Sequence, residues 1–255
     1  MKLRLIKKNI MKLTIKFLLA AVLFAGAANA FGKTRTPTAV TFADVVDRHL
    51  SGFHAIDVAG SFDVYITQGP NESVKVQAPD DIMSHIITEV NDGVLKIYNK
   101  HDAFHWGDMF GWHKKIIVYV VIKDVNEVNL SGSGDAFFRD GLNANALKLR
   151  ISGSGDMTGR VDVKTLQSSI SGSGDMKLSG RAGSSTVDLV GSGDYTARSL
   201  VTQSTSVDVT GSGDAEVNAS DQVNASVHGS GDIRYTGGAT HINSNKTGSG
   251  DISRM

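Results

Sequence analysis

The 255-residue chain has no cysteine, 3 prolines and 7% aromatic residues. Without cysteine there is no disulfide framework, no iron–sulfur or thiolate zinc centre, and no thiol nucleophile. No apolar run reaches the ~20 residues that a membrane-spanning helix needs. Net charge is also lacking: 26 basic side chains balance 26 acidic ones. The balance is uneven along the chain. Six of the basic residues (Lys2, Arg4, Lys7, Lys8, Lys12, Lys16) lie in the first 30 positions, which hold no acid, so the remainder carries 20 against 26, or −6. A surface of that sign gives no electrostatic footprint for nucleic acid. What is abundant is glycine: 28 residues, about 11% against a usual ~7%, without the proline or the three-residue period of collagen.

The basic N-terminus leads into the apolar run Phe17–Ala28 and then Ala28-Asn29-Ala30, a small-x-small signal-peptidase pattern. Residues 1–30 therefore read as a signal peptide cleaved after Ala30, with translation starting at Met1 or Met11, and residues 31–50 as an N-terminal extension. The mature chain, with no further apolar stretch of membrane length, is expected in the periplasm, secreted or at the cell surface.

Gly-Ser-Gly-Asp occurs seven times, ending at Asp135, Asp156, Asp175, Asp194, Asp214, Asp232 and Asp251, at spacings of 21, 19, 19, 20, 18 and 19. A fixed motif at a period near 19 signals stacked units. Two positions before each motif stand Leu130, Ile151, Ile170, Leu189, Val209 and Val227, with Lys246 the exception; four before stand Val128, Leu149, Ser168, Val187, Val207, Ala225 and Ser244. This period-2 alternation is that of a strand with one buried face. Each unit is predicted to be strand, sharp corner, strand: one coil of a single-stranded β-solenoid with coils ~4.8 Å apart. By parity, both motif glycines should face inward and the Ser and Asp outward.

Residues 51–130 alternate too, through Phe53–Val58, Phe62–Ile66, Val74–Val76, Val94–Tyr98 and Ile116–Ile122, with turns at Gly60, Gly69-Pro70-Asn71 and Asn91-Asp92-Gly93. Asp80–Val90 suits one short helix capped by Asp80 or Asp81. No linker divides the chain near residue 125, so 51–252 reads as one solenoid domain, with irregular early coils at 51–130 and seven GSGD coils at 131–252.

The pattern Phe53-x-x-Ile56-x-Val58-x-Gly60-x-x-x-Val64-x-Ile66, the segment Asp92–Ile97 and the recurring Ser-Gly-Ser-Gly-Asp of 131–135, 152–156 and 171–175 resemble the bacterial auto-transporter adhesin head, GIN domain family, a domain of unknown function with GSGD repeats. The resemblance implies a right-handed, pectin-lyase-like β-helix, no catalytic residues and a role in adhesion.

Stacked in register, the seven aspartates form a column in which each unscreened neighbouring pair costs ~0.9 kcal/mol in water. Two devices could relieve it. Each carboxylate can accept backbone N–H groups in its own corner, or the column can hold a ladder of calcium ions. A second candidate is the segment 101–113, where His101, His105, Trp106, Trp112 and His113 interrupt the repeat. It reads as a surface loop, as a recognition patch for a partner or carbohydrate through the two tryptophans, or as a zinc or copper site completed by Asp108 or His113. His228 replaces a Ser or Thr of the other coils. Acids recurring in every coil suit architecture better than a unique catalytic pair, and Gly-Ser-Gly lies between strands, not at a strand-to-helix elbow. The sequence thus predicts a non-catalytic envelope or adhesion-type binding module without cofactor, directed at glycans or cell-envelope components. A carbohydrate-active enzyme on the same scaffold and a structural protein self-associating end to end are the alternatives.

Overall fold

The computed structural model describes residues 45–100 and 115–255; the signal peptide, most of the N-terminal extension and the candidate loop residues His101, His105, Trp106, Trp112 and His113 lie outside them. The alternating segments form strands. A two-residue β1 (Val46–Asp47) precedes β2 (Ala55–Gly60), β3 (Asp63–Gln68), β4 (Ser73–Gln77), β5 (Ile86–Asn91), β6 (Val94–Asn99), β7 (Ile117–Ile122) and β8 (Glu127–Gly132). Five long strands follow, each nearly a whole coil: β9 (Ala136–Gly153), β10 (Met157–Gly172), β11 (Met176–Gly191), β12 (Tyr195–Gly211) and β13 (Ala215–Gly229). The last coil is split into β14 (Ile233–Thr236), β15 (His241–Gly248) and β16 (Ile252–Arg254).

From β8 onward each coil pairs in parallel with its predecessor, and the predicted apolar columns coincide with the observed register. Leu130 lies on Ile151, Ile151 on Ile170, Ile170 on Leu189, Leu189 on Val209 and Val209 on Val227. All six are buried in one continuous core, each contributing ~1.5–3 kcal/mol of apolar burial relative to an exposed side chain. Pairing between β9 and β10 shifts register between Gly159 and Val161, where β9 carries two extra residues, and lapses again at Lys164. A few hydroxyls share the interior. Thr202 and Thr205 meet at 2.7 Å, and Thr202 donates to the Asn218 carbonyl at 2.9 Å. Tyr195, 1% exposed, points its phenol at Ser168 and Ser185 without a well-formed hydrogen bond. Burial raises the Tyr195 pKa, and the two serines offset part of that rise.

The early part departs from a simple succession of coils. β2 lies between β6 and β8, and β3 between β7 and β9, all parallel. The β6–β7 layer therefore sits outside the β2–β3 layer, although it comes later in the chain. Antiparallel strands close this end: β5 pairs with β6 through the Asp92-Gly93 turn, and β4 with β7, followed by β1 on β4. The predicted helix over 80–90 is corrected to a single turn, α1 (Asp80–Met83), preceded by Pro79 with no side-chain cap, while 86–91 is strand. The backbone of 86–91 is taken by β6, and edge pairing overrides the local helical propensity.

Candidate functional site

The GSGD corner is a device for stacking. The first glycine of each motif has φ between 119° and 139°, a region that only glycine occupies without strain. The second glycine has ordinary φ, yet a Cβ there would run into the carbonyl oxygen of the equivalent glycine one coil before, as at Gly155 over Gly134 and Gly174 over Gly155. Parity predicts both glycines inside. The second is buried, but the first is half-exposed in six motifs and exposed at Gly248, because its positive φ breaks the alternation.

The aspartates form the expected column, tied in a way the sequence does not reveal. Each carboxylate but the last, Asp251, accepts the backbone N–H of the aspartate one coil further on: Asp156 N–H to Asp135 Oδ1 at 3.1 Å, then Asp175 to Asp156 at 2.9 Å, Asp194 to Asp175 at 2.8 Å, and Asp214, Asp232 and Asp251 onto their predecessors at 2.9 Å each. The bonds therefore run between coils, not within each corner. Each is charge-assisted, worth ~1.5–3 kcal/mol net, more than the ~0.9 kcal/mol repulsion of a neighbouring pair. Cations line the column as well. Arg234 reaches Asp232 at 2.8 Å and Asp214 at 3.3 Å, and Lys246 stands 3.6 Å from Asp251.

The column also starts earlier than the seven motifs indicate. Gly60 lies on Gly132, a Cβ at Gly134 would strike the Phe62 backbone, and Val64 N–H donates to the Asp135 carbonyl as Ala136 does to Asp156. Gly60-Ser61-Phe62-Asp63 is thus an eighth, degenerate corner. Its signal in the sequence is Gly-Ser-x-Asp, with the second glycine replaced because no earlier coil of this type crowds it. Asp63 is held by Lys115 at 2.8 Å, which raises the lysine pKa. Among the described residues, no group of three or more His, Asp or Glu is arranged to hold a metal ion.

One stretch of the outer surface is not uniform. Tyr119, Tyr65 and Phe137 occupy one outward column on successive layers. Their rings stack at centroid separations of 5.6 and 5.0 Å with planes 20° and 18° apart. The next two positions of the column are Thr158 and Lys177, so the stack stops at Phe137. A groove of about 460 Å³ opens there, floored by Phe138, Gly159 and Leu178. Gly159 makes room for the Phe138 ring beneath it: a Cβ at that position would overlap that ring. Arg160, Lys177 and Arg198 stand on the rim with the hydroxyls of Thr158, Ser179, Thr196 and Ser199. Arg198 is already bound to Glu216 at 2.8 Å.

Solved structures share this architecture. A "putative adhesin" from Bacteroides fragilis NCTC 9343 has a TM-score of 0.75 at 25% identity, covering 83% of this chain and 96% of its own. A "putative adhesin" from Parabacteroides distasonis ATCC 8503 gives 0.67 at 25% identity with the same coverages. A "putative lipid binding protein" from that organism shares the fold, with a TM-score of 0.66 at 22% identity and again 83% and 96% coverage. No curated protein matches the chain. The family model described as "Putative auto-transporter adhesin, head GIN domain" matches residues 52–239. The chain belongs to this family.

Within this GIN-domain protein, the seven aspartates are brought together as one column, whereas His228 stands alone on the outer face beside Ser226 at 3.2 Å. The aromatic strip and groove escape a motif search, because Tyr65, Tyr119 and Phe137 are far apart in sequence. Their one signal is that each sits at outward parity within its strand, where the other coils carry polar residues. No helix of the described residues is long and apolar enough to cross a membrane.

Proposed function

We propose that the protein is an exported, non-catalytic adhesion module of the cell envelope that holds glycans or other envelope components against the side of its solenoid. The observation that carries this reading is the contrast between a repeating surface and one interruption of it, the aromatic strip running into a cation-rimmed groove. Such a shallow, open surface suits holding a ligand better than enclosing a reaction. The GSGD aspartates recur coil after coil with structural partners, which suits architecture better than the single carboxylate pair that a glycosidase on this scaffold would use. Membership of an adhesin-type family and the basic, apolar N-terminus both support export.

The test is a glycan array and an envelope-fraction binding assay with the mature chain, run beside a Trp106→Ser/Trp112→Ser variant that probes the 101–113 loop. Retention of specific saccharides or envelope material, without their cleavage, is the expected result. Hydrolysis of a bound polysaccharide, or a protein that binds nothing in the envelope, would overturn the reading. Cell fractionation with N-terminal sequencing is expected to find the chain outside the inner membrane and beginning at Phe31.

A further inference from the structure

We propose that the groove beside Phe137 binds an acidic sugar residue of a glycan, its ring stacked on Phe137 and its anionic group between Arg160 and Lys177. This inference rests on the adhesion-module reading and names the ligand class.

The stack of rings along the solenoid ends one member short. Tyr119 covers Tyr65 and Tyr65 covers Phe137, but the following layer supplies Thr158, whose side chain is too small to cover the Phe137 ring. The layer after that supplies Lys177. A ring with a broad apolar face entering the groove therefore takes the place of a fourth stacked member, at a height set by the coil spacing. A pyranose offers such a ring, with an apolar C–H face for the aromatic and hydroxyls at its edge, and Thr158, Ser179, Thr196 and Ser199 present partners for those hydroxyls.

Charge selects the acidic class. Of the three rim cations, Arg198 is neutralised by Glu216. Arg160 and Lys177 carry no ion pair among the described residues, and both are exposed. The Arg160 stem lies against Gly141 of the preceding coil, and Lys177 belongs to the following one, so an anion over β10 and β11 meets a cation from each. A guanidinium and an ammonium on adjacent coils form a fork for a carboxylate or sulfate. The apolar floor is only Phe138, Gly159 and Leu178, which is short for an acyl chain and sized for one sugar.

The experiment is a calorimetric titration of the mature chain with a polyuronate, with a neutral polysaccharide of matching backbone, and with vesicles of phosphatidylcholine and phosphatidylglycerol, at low and physiological salt. Arg160→Gln/Lys177→Gln and Phe137→Leu are compared with Lys123→Gln, a cation that does not line the groove, after each is shown to be folded by circular dichroism. The expected result is polyuronate binding at least tenfold tighter than the neutral glycan and weakened by salt. Both groove variants should lose at least tenfold, and Lys123→Gln nothing. Equal binding of acidic and neutral glycans that the double variant leaves unchanged would overturn the acidic class while keeping the adhesion module. Polyuronate binding lost equally in Lys123→Gln would reduce the effect to general surface charge and overturn the site. Vesicle binding without glycan binding would make the ligand a lipid, and no binding to any probe or envelope fraction would bring down the module reading itself.

Discussion

Replacing Asp175 separates the two roles a ladder carboxylate can play, hydrogen-bond acceptor and charge. Its Oδ1 accepts the Asp194 N–H at 2.8 Å, while its own N–H donates to Asp156 at 2.9 Å. Asp175→Ala deletes the accepted bond, worth ~1.5–3 kcal/mol for a charged acceptor. It also removes repulsion from two neighbours about one coil spacing away, ~0.9 kcal/mol each in pure water and ~0.5 each at physiological salt. The acceptor outweighs the charge, so the alanine variant should be less stable by ~0.5–2 kcal/mol, a fall in Tm of ~1–8 °C for a domain of this size. Asp175→Asn keeps an oxygen in place and gives up half of the bond strength while gaining the same relief, so it should melt within ~2 °C of the parent. Thermal melts followed by circular dichroism, in millimolar calcium and in chelator, decide the matter. The reasoning is refuted if alanine melts as high as aspartate, or if asparagine falls as far as alanine. A calcium-dependent rise in the parent that both variants lack would replace the hydrogen-bonded ladder with a metal-bound one.

Gly174→Ala should cost more than ~3 kcal/mol or prevent folding, since its methyl group would overlap the Gly155 carbonyl and no side-chain movement can relieve a backbone clash; Gly238→Ala, whose Cβ would meet only Ser220 O at 3.5 Å, should fold and melt normally, and expression with melting curves compares the two. Tyr195 has its phenol pKa raised from 10.0 by burial, so its contribution is intact below pH 10 and is lost as pH rises toward the folded-state value, because the unfolded chain ionises first. Urea titrations from pH 8 to 11 should therefore show a shallower alkaline decline for Tyr195→Phe than for the parent. Lys246 sits where six earlier coils carry Leu130, Ile151, Ile170, Leu189, Val209 and Val227, and the whole of β15 is exposed. A charge on that edge blunts strand-to-strand association, so light scattering should show a monomer for the parent and concentration-dependent oligomers for Lys246→Leu.

Most of the regular half is legible in the sequence, because a solenoid makes local pattern and long-range packing coincide. Once Asp156 and Asp175 are aligned, Ile151 must lie on Ile170, and the observed register agrees. Residues 51–130 resist the same treatment. Alternation marks β2, β3, β6 and β7 as strands, but it carries no information on which layer lies outside which. That order is settled by β4 and β5, which fold back antiparallel onto β7 and β6 and hold that layer at the end of the stack. The segment 86–91 misleads for the same reason, since its helical spacing is a local preference and its neighbour β6 supplies six residues of strand pairing.

The candidate site was illegible for a deeper reason. In a repeat protein the conspicuous motif maintains the stack, and GSGD does so three times over: through a positive φ, a backbone contact that excludes any Cβ, and a carboxylate that caps the next coil. A residue under such demands has no freedom left for a ligand. Specific binding must come from positions the repeat leaves unconstrained, on the outward parity, and from defects in the packing there. Phe137 over Thr158 is such a defect, leaving a ring without a successor, and on the inward side of the adjacent pair Gly159 lets the Phe138 ring pack where a side chain would stand. Neither is unusual alone in the sequence. Only the 21-residue step between the two motifs, longer than the later ones, marks that first complete coil as different, and the groove opens on its outer side.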